Sequence, residues 1–136
     1  MTYLYFEWMK FGDQISVKPH ASPIYHAIQY LLGNLDAKYL HQFRAYHGLQ
    51  SYPSRTKDPD GVDFSTGSVG LGSVAPNFGA LAEEYARSHF GEDAIPQSRF
   101  ISLLGDAELD EGSVWEAIGE PLMSDMSNVL WIVDLN

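Results

Sequence analysis

The chain has 136 residues, the size of one compact domain rather than two, and 45% of them are hydrophobic, with 7 Phe, 8 Tyr and 3 Trp to fill a core. Charged residues make up only 19%, which argues against disorder, and the complete lack of cysteine excludes disulfides, thiolate metal sites and thiol nucleophiles. A formal charge of -10, from 18 acidic against 8 basic side chains, disfavours nucleic acid as a partner, because like charges repel unless a metal and backbone amides intervene.

The opening stretch, Met1 to Ile15, is aromatic without a clear period and defines no element; it carries Glu7 and lacks the form of a signal peptide. No apolar run approaches the ~20 residues of a membrane span, so no membrane partner is expected and a cytoplasmic location is the default. Ser22-Pro23 reads as a helix cap followed by proline in the first turn. Ile24, Ala27, Ile28 and Leu31 follow at helical spacing, and Gly33 closes the helix. A second short helix is predicted from Asp36 to about Tyr46, with Leu40 and Phe43 inward. His47 to Asp63 is rich in proline, glycine and mixed charge, a long loop of the kind that is usually functional.

A glycine-rich turn, Gly67-Ser68-Val69-Gly70-Leu71-Gly72, leads into a helix predicted from about Ser73 to His89. Val74, Phe78, Leu81, Ala82 and Tyr85 are its expected inner face, and Pro76 is tolerable because it lies in the first turn. Phe100 to Leu104 is a short apolar strand, broken by Gly105-Asp106-Ala107. A helix begins near Ser113, with Val114, Ala117 and Ile118 inward, and Pro121 ends or kinks it. Val129 to Leu135 is a second strand, apolar enough to be buried on both faces. Strand, helix, strand in this space is a βαβ unit with parallel strands and a right-handed crossover. The expected class is therefore α/β, a parallel sheet with flanking helices.

This topology sets Asp106 just past the carboxyl end of the first strand of the unit and Asn136 just past that of the second. Ligands of open α/β sheets bind at this edge. A carboxylate and an amide oxygen side by side are hard ligands that suit Mg²⁺, and the backbone amides of Ala107 and Glu108 can donate to a phosphate oxygen. A plainer reading exists: the aspartate caps the next helix and the asparagine closes a strand as a turn residue. Taken alone, the pair favours that plainer reading.

Four motifs in order alter the balance. Gly105-Asp106-Ala107-Glu108, with Asn136 thirty residues after Asp106, resembles the fingerprint of thiamine-diphosphate enzymes, which runs from Gly-Asp-Gly to an asparagine behind a hydrophobic strand. His20-Ala21-Ser22-Pro23, Leu49-Gln50-Ser51-Tyr52-Pro53 and the turn from Gly67 to Gly72 fall in the order seen in the transketolase superfamily. The run Gly105 to Glu111 is most similar to the homodimeric first component of the pyruvate dehydrogenase complex. The resemblance covers Pro19 to Asn136 and implies an extension over residues 1–18 and a partial diphosphate-binding domain over 19–136, the N-terminal part of the thiamine-diphosphate-binding fold.

The resemblance also implies site residues. Asp106 and Asn136 would coordinate Mg²⁺; Gly105, Ala107 and Glu108 would contact the diphosphate; Ser68, Val69 and Gly70 would lie along the rings of thiamine diphosphate; and His20 would stand near the thiazolium, positioning substrate or shuttling protons. His26, His41 and His89 match nothing and read as surface or satisfied core residues, as does His47 apart from adjoining the Leu-Gln-Ser-Tyr-Pro loop. Ala107 replaces the third fingerprint residue, a glycine, and Ser54 stands where the pyruvate dehydrogenase family often has histidine. The family's next metal contact and its pyrimidine-binding domain lie beyond Asn136. The implied activity is that of a 2-oxo-acid dehydrogenase part that anchors the cofactor and is inactive alone. Its expected partners are the remainder of the enzyme or a pyrimidine-domain subunit, in a homo-oligomer. The alternatives are transketolase-type ketol transfer and a truncated, non-catalytic interaction module.

Overall fold

The computed structural model describes residues 1–67 and 70–135. Three parallel strands form one sheet in the order β1-β2-β3: β1 is Gln14–Val17, β2 is Phe100–Gly105 and β3 is Val129–Asp134. The helices are α1 (Ser22–Leu31), α2 (Ala37–Leu40), α3 (Leu71–Phe90) and α4 (Gly112–Gly119). A single turn of π-helix at Leu4–Trp8 precedes the sheet, and 3₁₀ turns occupy Pro19–Ala21, Asp106–Asp110 and Pro121–Asp125. The expected parallel pairing of β2 with β3 around α4 is present, in register from Phe100 opposite Val129 to Gly105 opposite Asp134. No described helix is long and apolar enough to cross a membrane.

The alternation along the strands divides the core between two faces. Ile15, Val17 and Ile101 turn toward Leu4, Tyr25 and Val62, with Leu103 and Ile132 packed beside them. The other face receives α3, whose buried row is small. A Cβ on Gly72 would stand 3.0 Å from Ser16 Oγ, and one on Gly79 would stand 2.9 Å from the Phe100 ring, so both glycines permit close approach of helix to sheet. Ser102 donates to the Ser73 carbonyl at 2.9 Å, and Trp131 Nε1 donates to Asn77 Oδ1 at 2.8 Å. Helix α3 is thereby fixed across β1, β2 and β3 in turn. Residues 1–18, read from the sequence as an extension, supply β1 and the core residue Leu4.

Several sequence expectations are corrected. The apolar stripe of α1 is not its buried face: Ile24 and Leu31 are exposed, whereas Ser22, Tyr25, His26, Ile28 and Gln29 are buried. Two polar members of that face have fixed partners. Ser22 Oγ donates to the Ser51 carbonyl, and His26 Nδ1 lies 2.7 Å from Asp60 Oδ2 with both side chains inaccessible. The helix predicted to reach Tyr46 stops at Leu40, and turns follow in which Arg44 and His47 adopt left-handed backbone at φ of 62° and 58°. Helix α3 starts at Leu71 and buries the small row Ser73, Pro76, Asn77 and Ala80, leaving Phe78 and Tyr85 exposed. Ile118 is exposed on α4. Strand β3 is not buried on both faces; it pairs with β2 along one side only, among the described residues, and Leu130 and Val133 remain exposed.

Candidate functional site

Parallel strands in register deliver their carboxyl ends to one edge. Val17 lies opposite Leu103 and Gly105 opposite Asp134, so the chain leaves β1 through Lys18, Pro19 and His20, leaves β2 through Asp106, and leaves β3 through Leu135. His20 sits exposed in the 3₁₀ turn after β1. Asp106 opens the 3₁₀ turn after β2 and is half-buried, and its carboxylate has no hydrogen bond or ion pair to another described residue. Ala107 is exposed beside it. Asn136, Ser68 and Val69, three of the residues singled out from the sequence, lie outside the described residues.

Glu108 is turned inward. One carboxylate oxygen accepts the Gly105 amide at 3.1 Å; the other accepts the Gly70 amide at 3.3 Å and the Ser73 hydroxyl at 3.5 Å. A buried charge persists only when such donors surround it. The bonds clasp the acidic turn after β2 to the glycine turn that starts α3. Gly70 caps α3 with φ +78°, a conformation an L side chain rarely takes, and a Cβ there would come within 3.1 Å of Glu111 Cβ and 3.0 Å of Ser113 Oγ. Trp115 Nε1 donates to the Leu109 carbonyl at 2.7 Å and ties the same turn to α4.

The remaining motifs join by comparable links. Ser22 of His20-Ala21-Ser22-Pro23 holds Ser51 of the Leu-Gln-Ser-Tyr-Pro loop through a 2.8 Å bond to its carbonyl. That loop is shaped by the buried Asp58, which accepts the amides of Gln50 at 2.8 Å and Ser54 at 2.7 Å. Its Pro53 carbonyl accepts the Thr66 amide at 3.1 Å, one residue before the glycine turn. Four motifs spread over almost ninety residues therefore form one connected chain of contacts: Ser22 to Ser51, Pro53 to Thr66, Gly70 to Glu108.

Two further charged residues stand at this edge, and sequence reasoning missed both. Lys18 is buried, and its Nζ donates to Asp134 Oδ2 at 2.6 Å, across the end of β2. Lys18 was hidden because β1 went unassigned; once a strand ends at Val17, the next residue is an edge residue. Asp134 was legible as the one charge interrupting an apolar strand. A cavity of about 520 Å³ lined by Phe11, Asp13, Arg55, Asp60 and Asp63 opens beside the start of β1, away from Asp106.

The donor set suits a hard divalent cation carried in with a phosphate. Among the described residues no three His, Cys, Asp or Glu side chains converge to hold a metal by themselves. Asp106 nonetheless presents an unpaired, half-buried carboxylate at the edge. Mg²⁺ commonly takes one or two protein carboxylates and completes its shell with phosphate and water, so this arrangement fits it better than it fits zinc.

Comparison with known proteins is consistent with this geometry. The family model for "Transketolase, thiamine diphosphate binding domain" matches residues 7–136. The pyruvate dehydrogenase E1 component of Mycobacterium tuberculosis is 32% identical over 130 residues, covering 92% of this chain and 14% of that protein. Transketolase-like protein 2 of Mus musculus is 33% identical over 120 residues, covering 88% of this chain and 18% of that protein. Transketolase from Leishmania mexicana superposes with a TM-score of 0.85 at 25% identity, over 98% of this chain and 22% of that one. The chain thus spans less than a quarter of the length of each of these relatives.

Proposed function

The chain belongs to the transketolase family of thiamine diphosphate binding domains, and on that premise we propose that it anchors the cofactor's diphosphate through Mg²⁺ in a pyruvate dehydrogenase-like enzyme. The observation that carries this reading is Asp106, unpaired among the described residues at the carboxyl end of the central strand, beside a turn that Glu108 clasps to Gly70. Asp106 and Asn136 are the proposed metal ligands. Gly105 and Ala107 line the diphosphate, and Ser68, Val69 and Gly70 run along the cofactor. Glu108 acts by holding the backbone of Gly105 and Gly70 in place.

Thiamine diphosphate, when bound, supplies a nucleophilic thiazolium carbon and an electron sink. The task of this domain is to bind, orient and shield it. Asp106 places negative charge where a cation must sit. The buried Glu108 fixes two backbone amides without spending side-chain freedom on the ligand. His20, exposed at the same edge, is the residue proposed to hold or move a proton of the substrate.

The dehydrogenase reading is supported by the run Gly105 to Glu111 and by the pyruvate dehydrogenase E1 components among its relatives. Ketol transfer between sugars is the second reading, supported by the close superposition on a transketolase. Both require protein beyond this domain, so the remainder of the enzyme, within or between subunits of a homo-oligomer, is the proposed partner. Assaying the natural full-length protein with pyruvate and an artificial electron acceptor, and in parallel with a ketose phosphate donor and an aldose phosphate acceptor, separates the two. Pyruvate-dependent reduction without ketol transfer is expected; the reverse pattern assigns the chain to the transketolase branch.

A further inference from the structure

Lys18 is a buried cation at an edge that also carries Asp106 and Asp134, in a chain of net charge -10. It is only 7% exposed, while its partner Asp134 keeps 50% of its side chain in solvent. A Cβ on Gly105 would stand 3.7 Å from the Lys18 Nζ. The ammonium group therefore lies against Gly105, the last residue of β2 and the one before Asp106, and reaches from β1 to β3. An ammonium offers three donors, and the described residues use one of them, toward Asp134.

We propose that Lys18 is a charge-balancing, positioning residue that neutralises Asp134 so that the edge accepts a diphosphate anion instead of trapping a bare cation. The inference rests on the reading of the site given above. Asp134 lies opposite Gly105 in the register, one residue before Asp106 in the neighbouring strand. With Lys18 removed, the Asp134 charge would stand unbalanced on the strand beside Asp106, whose preceding residue is its register partner. Two negative charges bind a divalent cation more tightly than one, and they repel a diphosphate more strongly. Lys18 therefore acts with opposite sign on the two components of the metal-diphosphate pair. A strut that merely held the fold would act on both with the same sign.

The test uses the natural full-length protein and two titrations: Mn²⁺ alone, followed by water proton relaxation, and thiamine diphosphate at saturating Mg²⁺, followed by calorimetry. Lys18→Met is expected to bind Mn²⁺ several-fold more tightly and thiamine diphosphate about tenfold more weakly, the size of effect given by one lost charge pairing. Asp134→Asn, which keeps the buried lysine, is expected to weaken Mn²⁺ binding and to leave diphosphate affinity equal or improved. The double variant is expected to lose the extra Mn²⁺ affinity of Lys18→Met, and Lys18→Arg to stay near wild type. Parallel weakening of both ligands in Lys18→Met, or weaker diphosphate binding in Asp134→Asn, overturns the proposal while leaving the site reading intact. A wild-type protein that binds no thiamine diphosphate removes the reading beneath it, and the proposal with it.

Discussion

The Glu108 carboxylate accepts the amide of Gly70, 38 residues earlier in the chain, at 3.3 Å, and with its other oxygen holds Gly105 at 3.1 Å. One buried side chain thus sets the distance between the two turns from which the candidate site is built. Glu108→Ala would leave both amides without a partner inside the protein. Each such orphan costs about 1–3 kcal/mol, so a loss of about 2–6 kcal/mol in unfolding free energy is expected. Glu108→Gln keeps an acceptor for one amide and should lose less. Urea denaturation of the three proteins checks this; an alanine variant as stable as wild type would show that the clasp does not hold the turns together.

The second buried pair lies away from the site. His26 and Asp60 join α1 to the long loop, both inaccessible, with His26 Nδ1 2.7 Å from Asp60 Oδ2. His26→Leu strands a buried carboxylate, and breaking a pair of this kind from one side costs about 3–5 kcal/mol. His26→Leu/Asp60→Leu removes both polar groups and is expected to recover a large part of that loss. A double variant no more stable than His26→Leu, measured by the same denaturation series, would contradict this account of the pair.

Two aspartates give the domain opposing responses to pH. Burial pushes the Asp13 carboxyl up, but hydrogen bonds from the Arg99 side chain and from the Lys10 and Arg99 amides outweigh it and hold Asp13 below the usual carboxylate range. A group depressed on folding stabilises above its unfolded value, about 3.9, and loses that contribution as pH falls through the folded value. Burial dominates at Asp63 and raises it, despite the opposing Ile15 amide and the nearby Arg55. A carboxyl raised on folding favours the folded state at low pH, and that advantage is lost as pH rises from the unfolded to the folded value. Asp13→Asn should therefore destabilise by about 1–2 kcal/mol at pH 7, and by progressively less as pH falls below the unfolded value toward the depressed folded one. Asp63→Asn, whose amide oxygen can still accept from Ile15, should stabilise at pH 7 and lose that gain on acidification. Denaturation across this pH range decides, and a pH-independent effect in either variant would contradict its sign.

The last third of the chain was legible because its elements are local and strongly patterned. Phe100–Gly105 and Val129–Asp134 are apolar strands, and one short helix flanked by two 3₁₀ turns connects them. The beginning was not legible, since β1 is four residues long and its middle residue, Ser16, faces Gly72 on α3, which no local pattern reveals. The buried faces of α1 and α3 were misread for a related reason. Both helices bury small or polar residues whose partners are distant in sequence, such as Asp60 for His26 and Trp131 for Asn77. The order of the four motifs pointed to the carboxyl edge of the sheet, but the links between them, Ser22 to Ser51 and Gly70 to Glu108, are tertiary.

The central claim is that Asp106 anchors a metal-bound diphosphate, and calorimetric titration of thiamine diphosphate into the natural full-length protein tests it most directly, with Mg²⁺ and with chelator, for wild type and Asp106→Ala. The account predicts Mg²⁺-dependent binding by the wild type. It predicts loss of that binding in the alanine variant without loss of the folded state, because Asp106 lies half-exposed at a strand end and not in the core. Asp106→Asn should fall between them, having lost the charge but kept an oxygen ligand. Binding that is independent of Mg²⁺, or unchanged affinity in Asp106→Ala, would contradict it.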